Sequence, residues 1–281
     1  MSGVALSPSD LALAASLLIV NGAISIAFGL RLERSLALAA VRMVVQLILV
    51  GFVLRFVLEQ TSPAWTLLIA LIMVLVAGFE LYQRKGQPGG GWRVYGLGNA
   101  TLLLVGGLAA LYAVAVVVRP APWYAPRYVL PILGMVLGNT LTSVSLALQA
   151  MSEGAMRERN AIDARIALGA TRFEAFAGVL QPALRAATTP LLNTMAVAGV
   201  VALPGMMSGQ IMAGADPAEA AMYQIMIMFV LAGASALGAL AAVLGSVLLM
   251  TDRRHRLRLD RMDAGPGTTA GGRRGEAGSL N

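Results

Sequence analysis

The residues best spaced to do specific work lie between Arg157 and Pro182, in RERNAIDARIALGATRFEAFAGVLQP, a polar island between two strongly apolar segments. Arg157, Glu158, Asp163 and Arg165 supply charge, while Ile162 and Ile166, with the small Ala161 and Ala164, fall on or near one side of a helix. Gly169 stops that helix, because the left-handed turn after a last helical residue would cost any residue with a Cβ about 1–2 kcal/mol. Thr171 and Glu174 then stand at the spacing where a hydroxyl and a carboxylate satisfy reciprocal orphan N–H groups of a new helix. The stretch predicts helix, glycine turn and capped helix, an elbow whose chemistry is docking.

Such an elbow has three readings. A helix-turn-helix reading DNA would need a third helix and a soluble core, whereas membrane-length apolar segments flank this one. An amphipathic connector could lie on the bilayer surface. The third reading comes from spacing. Bacterial ABC-transporter permeases carry a cytoplasmic loop of the form Glu-Ala-Ala, three residues, Gly, nine residues, Ile-x-Leu-Pro, whose short helix seats in a groove of the ATPase. This segment resembles it, with Asp163 at the acidic position, Ala164 next, then Gly169, Val179 at the isoleucine and Pro182 at the proline; Arg165 and Gln181 depart from the pattern. The resemblance implies an ATPase-coupling segment that includes Arg157, Glu158, Asp163, Ala164, Leu168, Gly169 and Ala170.

Polar residues within apolar segments form a second group, since polarity in hydrocarbon turns toward a protein interior or a path. Asn139, Thr142, Ser143 and Gln149 fall roughly along one helix face, with Gly134 and Gly138 as a small-xxx-small patch for close packing. Pathway lining and interhelical hydrogen bonding are both open to them. Arg42 and Gln46 stand four apart, and Glu80 lies near the end of the following segment. Arg42 and Glu80 could pair, although snorkelling of both to the interface is the plainer reading. The third group is ALPGMMSGQIMAGADPAEAAMYQIMIM, Ala202 to Met228, where Pro204-Gly205 breaks an apolar helix in the way that often marks a site. Asp216, Pro217 and Glu219 read as N-cap, first and third positions of the next helix. Met206, Met207, Met212, Met222, Met226 and Met228 crowd this region. Thioethers suit soft ions such as Cu(I), but methionine also fills irregular apolar gaps, and packing is the favoured reading.

The elements that position these groups are set by composition: 281 residues, 58% hydrophobic and 12% charged, with mean hydropathy +0.75. An all-α integral membrane protein follows. Seven spans are predicted, at about 11–30, 41–58, 64–82, 97–118, 130–150, 188–203 and 220–250, with the elbow between the fifth and sixth. Asp10 and the lack of a positive n-region argue against a cleaved signal peptide before the first. Arg31, Arg34, Arg84, Lys85, Arg93, Arg157, Arg159, Arg165, Arg172, Arg253, Arg254, Arg256 and Arg258 fall on one side, and only Arg55, Arg119 and Arg127 near the other. The excess predicts an outside N-terminus and a cytoplasmic C-terminus and elbow, so the net charge of +7 encodes topology and not nucleic-acid binding. The chain has no cysteine, and its single histidine, His255, lies in a basic tail, so a metal site within the spans would use oxygen donors, backbone carbonyls or thioethers. Residues 1–262 read as one permease domain with its elbow at 157–182, and the Gly-rich 263–281 as a disordered cytoplasmic tail. No Gly-x-x-x-x-Gly-Lys-[Ser/Thr] loop occurs, so ATP hydrolysis is expected from a separate subunit.

LPGMMSGQIMAGADPAEAAMYQIMIMF, with LGMVLGNTLTSVSLAL and ARIALGAT, resembles the family of the bacterial iron-export permease FetB and the plant aluminium-sensitivity proteins, over nearly the whole chain to about Leu249. The resemblance implies the membrane half of an ABC transporter, associated in bacteria with iron efflux and resistance to oxidative stress. It implies a homodimeric permease in the inner membrane, paired with a cytosolic ATPase that uses the ATP, and no cofactor on this chain. Carried over by position, 163–169 would be the coupling helix. Leu203, Pro204, Gly205, Met206, Met207 and Gln210 would belong to a signature segment to which the match attaches no role. Loops of the Glu-Ala-Ala type are commonest in importers, so the expectation of export rests on the resemblance. The alternatives are an ABC permease for another metal or small solute, and a stand-alone carrier or channel, which would have no need of a protruding elbow.

Overall fold

The computed structural model describes residues 7–59, 62–83 and 92–252. The 87–91 loop, Arg84, Lys85, Arg253, Arg254, His255, Arg256, Arg258 and the 263–281 tail lie outside the described residues. Among the described residues the secondary structure is helical, apart from one isolated bridge between Ala198 and Ala202. The chain forms two compact units, Met1–Thr61 and Ser62–Asn281.

In the first unit, α1 (Pro8–Ala27) and α2 (Glu33–Leu58) make a hairpin. Ser7 and Asp10 cap α1 reciprocally. Gly29 at φ 63° turns the chain, and the Ser25 hydroxyl holds the corner, donating to Glu33 Oε2 at 2.8 Å and accepting from the Leu32 N–H at 2.9 Å. Arg42 and Gln46 are exposed on α2. Most apolar side chains of both helices are uncovered, as helices in contact with lipid require.

The second unit begins with α3 (Pro63–Gln83), which carries Glu80. The next span is one continuous run in which α4 (Trp92–Thr101), a π-turn (Leu102–Gly106), α5 (Gly107–Tyr112) and a second π-turn (Ala113–Val118) follow without a break. After the Arg119–Ala125 connection comes α6 (Pro126–Arg157), the central element. Then follow α7 (Arg159–Ala167), α8 (Arg172–Ala175), α9 (Ala177–Val197), α10 (Gly205–Met212) and α11 (Pro217–Met250). The core runs along α6, where Ile132, Val136, Val144, Ala147 and Met151 are buried with Leu102, Val243 and Val247.

Glycines set the closest approaches. A Cβ on Gly238 of α11 would lie 2.9 Å from Thr140 Cγ2, one on Gly98 of α4 would lie 2.8 Å from Leu148 Cδ1, and one on Gly154 of α6 would lie 2.5 Å from Val179 Cγ1 of α9. The predicted Gly134 and Gly138 patch is not where this packing happens. Gly134 meets only the flexible end of Met73, and Gly138 is exposed with open space before it.

Among the described residues, six helices are long and apolar enough to cross a membrane: Ser9–Ala27, Glu33–Leu58, Pro63–Leu81, Gly96–Val118, Pro126–Arg157 and Pro217–Met250. The chain is a multi-pass membrane protein. The sixth predicted span, 188–203, is not among them: helix α9 covers Ala177–Val197 instead, and the chain turns at Gly199, φ 81°. Gln181, Arg185 and Asn193 interrupt α9, which has no 18-residue stretch as apolar as those of the six. Its threonines satisfy themselves within the helix: Thr188 donates to Leu184 O at 2.9 Å, Thr189 to Arg185 O at 2.6 Å and Thr194 to Pro190 O at 2.9 Å.

Candidate functional site

The elbow is built as its residue types dictate. α6 runs unbroken to Arg157, Glu158 links it to α7, and Gly169 takes φ 93° just past the Leu168 cap. The Gly169 N–H donates to Ile166 O and the Ala170 N–H to Arg165 O, both at 3.0 Å, closing the last carbonyls of α7 in the paired pattern that a left-handed glycine permits. Thr171 Oγ1 accepts from the Glu174 N–H at 3.4 Å, while Glu174 Oε2 accepts from the Thr171 N–H and hydroxyl, each at 2.8 Å. The Thr171 backbone N–H and then its hydroxyl hold the Glu174 carboxyl below the ordinary carboxylate value. The capped helix, α8, is only one turn long, and the chain enters α9 after the fully buried Phe176.

One side of α7 is a wall and the other is open. Ile162 is fully buried with Ala175 and Phe176, and Val179 packs into the notch left by Gly154. Ala161 and Ala164 were expected near Ile162, but both are exposed, because 100° per residue carries them away from its direction. With Ala167 and Leu168 they make an apolar outward surface; Leu168 is 88% exposed. Asp163, half exposed, pairs with Arg159 at 3.9 Å. Arg165, a departure from the ABC-permease loop pattern, ties the elbow together: its Nη1 donates to Ala175 O at 2.9 Å. A Cβ on Gly178 would lie 2.8 Å from Glu158 Oε2 and 3.5 Å from that same Nη1, so both side chains lodge over a glycine.

The other predicted residues lie on α2, α3, α6 and the segment around α10. Arg42 and Gln46 belong to the first unit and Glu80 to the second. On α6, the Asn139 amide donates to Met135 O at 2.9 Å, the Thr142 hydroxyl to Gly138 O at 3.0 Å and the Gln149 amide to Glu153 Oε1 at 2.9 Å, all on the less covered face. Ser143 is not with them; it is buried on the core side. Leu203 and Pro204 form the break before α10, whose residues include Gly205, Met206, Met207 and Gln210. Asp216 caps α11, accepting from the Ala218 and Glu219 N–H groups at 2.9 and 3.1 Å.

Two features escaped sequence reasoning. Gln181, Arg185, Thr189 and Asn193 are all exposed along a single face of α9. Their spacing of four was the available signal, but a span begun at residue 188 leaves the first two outside it. The second is a cavity of about 460 Å³ lined by the Ala198–Pro204 break, α9, α10 and α11, which brings Met195, Met207, Met228 and Gln224 together. No group of three or more His, Cys, Asp or Glu side chains placed to hold a metal ion occurs among the described residues.

No solved structure matches the chain. Among curated proteins, it is 37% identical over 206 residues to the UPF0014 membrane protein slr1647 of Synechocystis sp., covering 72% of this chain and 78% of that one. It is 32% identical to the protein ALUMINUM SENSITIVE 3 of Arabidopsis thaliana, covering 82% of each. It is 31% identical over 248 residues to the probable iron export permease protein FetB of Escherichia coli, covering 88% of this chain and 93% of that one. The model of one family, described as an uncharacterised protein family, matches residues 8–249. On that span and those identities, the chain belongs to family UPF0014.

Proposed function

We propose that the chain is the membrane-spanning permease subunit of an ABC transporter that exports iron from the cytoplasm, using ATP hydrolysed by a separate cytosolic subunit. The observation that carries this is the elbow. A turn held by Gly169 and a capping box, with Ile162 anchored inward and Ala161, Ala164 and Leu168 facing outward, is a rigid apolar projection suited to a groove in a partner. The iron assignment draws on the similarity to the Escherichia coli protein named a probable iron export permease.

In this reading α9 is a seventh span, the N-terminus is outside and the elbow faces the cytoplasm. Two copies form the permease, and the open polar face of α9 suits a water-filled path or the second copy better than lipid. Each of the two conformations would be favoured by a different ligand, which is how ATP use moves a substrate. The test is vesicle transport by the purified permease with its ATPase, comparing Fe(II), other divalent ions and organic solutes. ATP-dependent Fe(II) efflux is expected. Cells lacking the protein should also hold more iron and survive peroxide less well. Unchanged iron with altered handling of another solute would move the assignment to a permease for that solute, and full transport without the ATPase would make the protein a carrier.

A further inference from the structure

The continuous run from Trp92 to Val118 and α11 meet closely at one end and part toward the other. A Cβ on Gly245 of α11 would lie 2.5 Å from Leu97 Cδ1 of α4, whereas one on Gly233, about three turns earlier, would meet nothing within 4 Å. Between the two lies a cleft of about 890 Å³ that extends from Val105 and Leu237 to Val117 and Met222. Ala109, Gly233 and Ala234 leave it room, Leu108 and Phe229 are among its walls, and of its lining side chains among the described residues only Tyr112 carries a polar group. Val105 belongs to the first π-turn and Val117 to the second, so the cleft coincides with the stretch that departs from α-helical winding, a departure that recurs at functional sites. Its length matches one leaflet: on the order of 18 Å from Val105 to Val117, against about 15 Å for half of the hydrocarbon core. Beyond Val117 stand Arg119 and the exposed Trp123, with Tyr124 and Arg127, the aromatic and basic mixture of a membrane interface. Arg119 is held there by a backbone at φ 46° and by its Nε, which donates to Val116 O at 2.7 Å; among the described residues no carboxylate pairs with it.

We propose that this cleft is a binding site for one phospholipid, whose acyl chains fill it from the leaflet at the Arg119 end while the Arg119 guanidinium holds the phosphate. The occupant must be apolar, because the walls offer almost nothing to a polar one. It must also be slender. Spread along the cleft, the volume gives a mean cross-section of about 50 Å², below the roughly 80–110 Å² of a helix 10–12 Å across, so a span of a second copy does not enter. An empty cleft forfeits dispersion contacts along both walls, and flexible hydrocarbon chains recover them in a tapering space that no rigid element fits. Charge then selects the lipid: with Nε engaged by Val116 O, the Nη groups remain to donate, and paired guanidinium N–H donors match a phosphate. A lipid seated there is a wedge that sets the spacing of α11 from α5. The site needs only the membrane location of these helices, and neither the cargo nor the ATPase enters the argument.

The test uses the full chain purified in detergent and stripped of native lipid. Native mass spectrometry reads its binding of palmitoyl-oleoyl phosphatidylglycerol, beside palmitoyl-oleoyl glycerol, which has the same chains and no phosphate. One phosphatidylglycerol per chain is expected to survive detergent excess, with the diacylglycerol about 5-fold weaker. Arg119→Gln should bring phosphatidylglycerol down to the level of the diacylglycerol. Gly233→Phe, whose side chain enters the open space, should abolish binding of both in a chain whose fold is checked by circular dichroism; the smaller Gly233→Leu serves if phenylalanine unfolds it. Gly51→Phe, at an exposed position of α2 with nothing before it, should change neither. No retained lipid, equal retention of the two lipids, or unchanged binding in the folded Gly233 variant would overturn the site. So would high-yield disulfide dimers of Phe229→Cys in the membrane, which would assign the cleft to a second copy. Any of those results with intact ATP-dependent iron efflux would refute the site and spare the export reading.

Discussion

Gly169 is the residue on which the elbow turns. At φ 93° it occupies backbone space that side-chain-bearing residues rarely enter, and a Cβ there would meet nothing within 4 Å, so the strain of substitution is conformational and not steric. Gly169→Ala should cost about 1–2 kcal/mol locally, and Gly169→Val more, because its branch restricts the backbone further. Both variants should reach the membrane in normal amounts. Gly169→Val should lose ATPase pull-down and transport while Gly169→Ala retains part of each, and normal transport by the valine variant would reduce the elbow to a connector. Glu174 supplies a pH prediction. Its folded pKa is depressed from an ordinary 4.5, so the capping contribution is fully present above that value and is lost as pH falls through the depressed one. NMR titration of the Glu174 carboxyl carbon should therefore give a midpoint below 4.5, moved back toward it in Thr171→Ala.

At the scale of elements, the crossing of α6 and α9 aims the elbow. Gly154 lets Val179 enter a notch that a Cβ would invade at 2.5 Å, and a β-branched side chain has few rotamers with which to withdraw. Gly154→Ala should destabilise the protein by about 1–3 kcal/mol, the usual cost of overpacking. Val179→Ala in the same chain should recover part of that loss, read as the thermal midpoint in detergent; additive losses would show that the notch does not control the crossing. The Arg165 guanidinium, by donating to Ala175 O, closes the turn between α7 and α9.

At the scale of the whole molecule, the absence of cysteine makes topology directly measurable. Leu168→Cys, at a position 88% exposed, should react with a membrane-impermeant maleimide only from the cytoplasmic side and become protected when the ATPase subunit binds. Trp123→Cys, at an exposed position in the connection before α6, should react only from the outside. Labelling of both from one side would invalidate the odd number of spans between them and the outside N-terminus inferred with it.

Much of this protein was legible in its residues because the bilayer enforces a simple code. Runs of about twenty apolar residues must be helices, since hydrocarbon offers no partner for backbone groups, and for six of the seven predicted spans such a helix stands there among the described residues. Local chemistry was equally legible: Gly169 in its turn, the Thr171 and Glu174 capping box and the Asp216 cap each depend on residues within a few positions of one another. Tertiary structure alone decided the rest. Which face of α7 is anchored depends on Phe176 and Val179 arriving from beyond the turn, and the close packing fell to glycines such as Gly98, Gly154, Gly238 and Gly245, which meet another helix, instead of Gly138, which meets none. The end of α9 at Val197 was hidden because apolar residues continue to Leu203, while the turn at Gly199 is a backbone event that hydropathy does not register. Met195, Met207, Gln224 and Met228 became neighbours only when three helices and a break closed on one cavity, since separations along the chain carry no record of proximity in space.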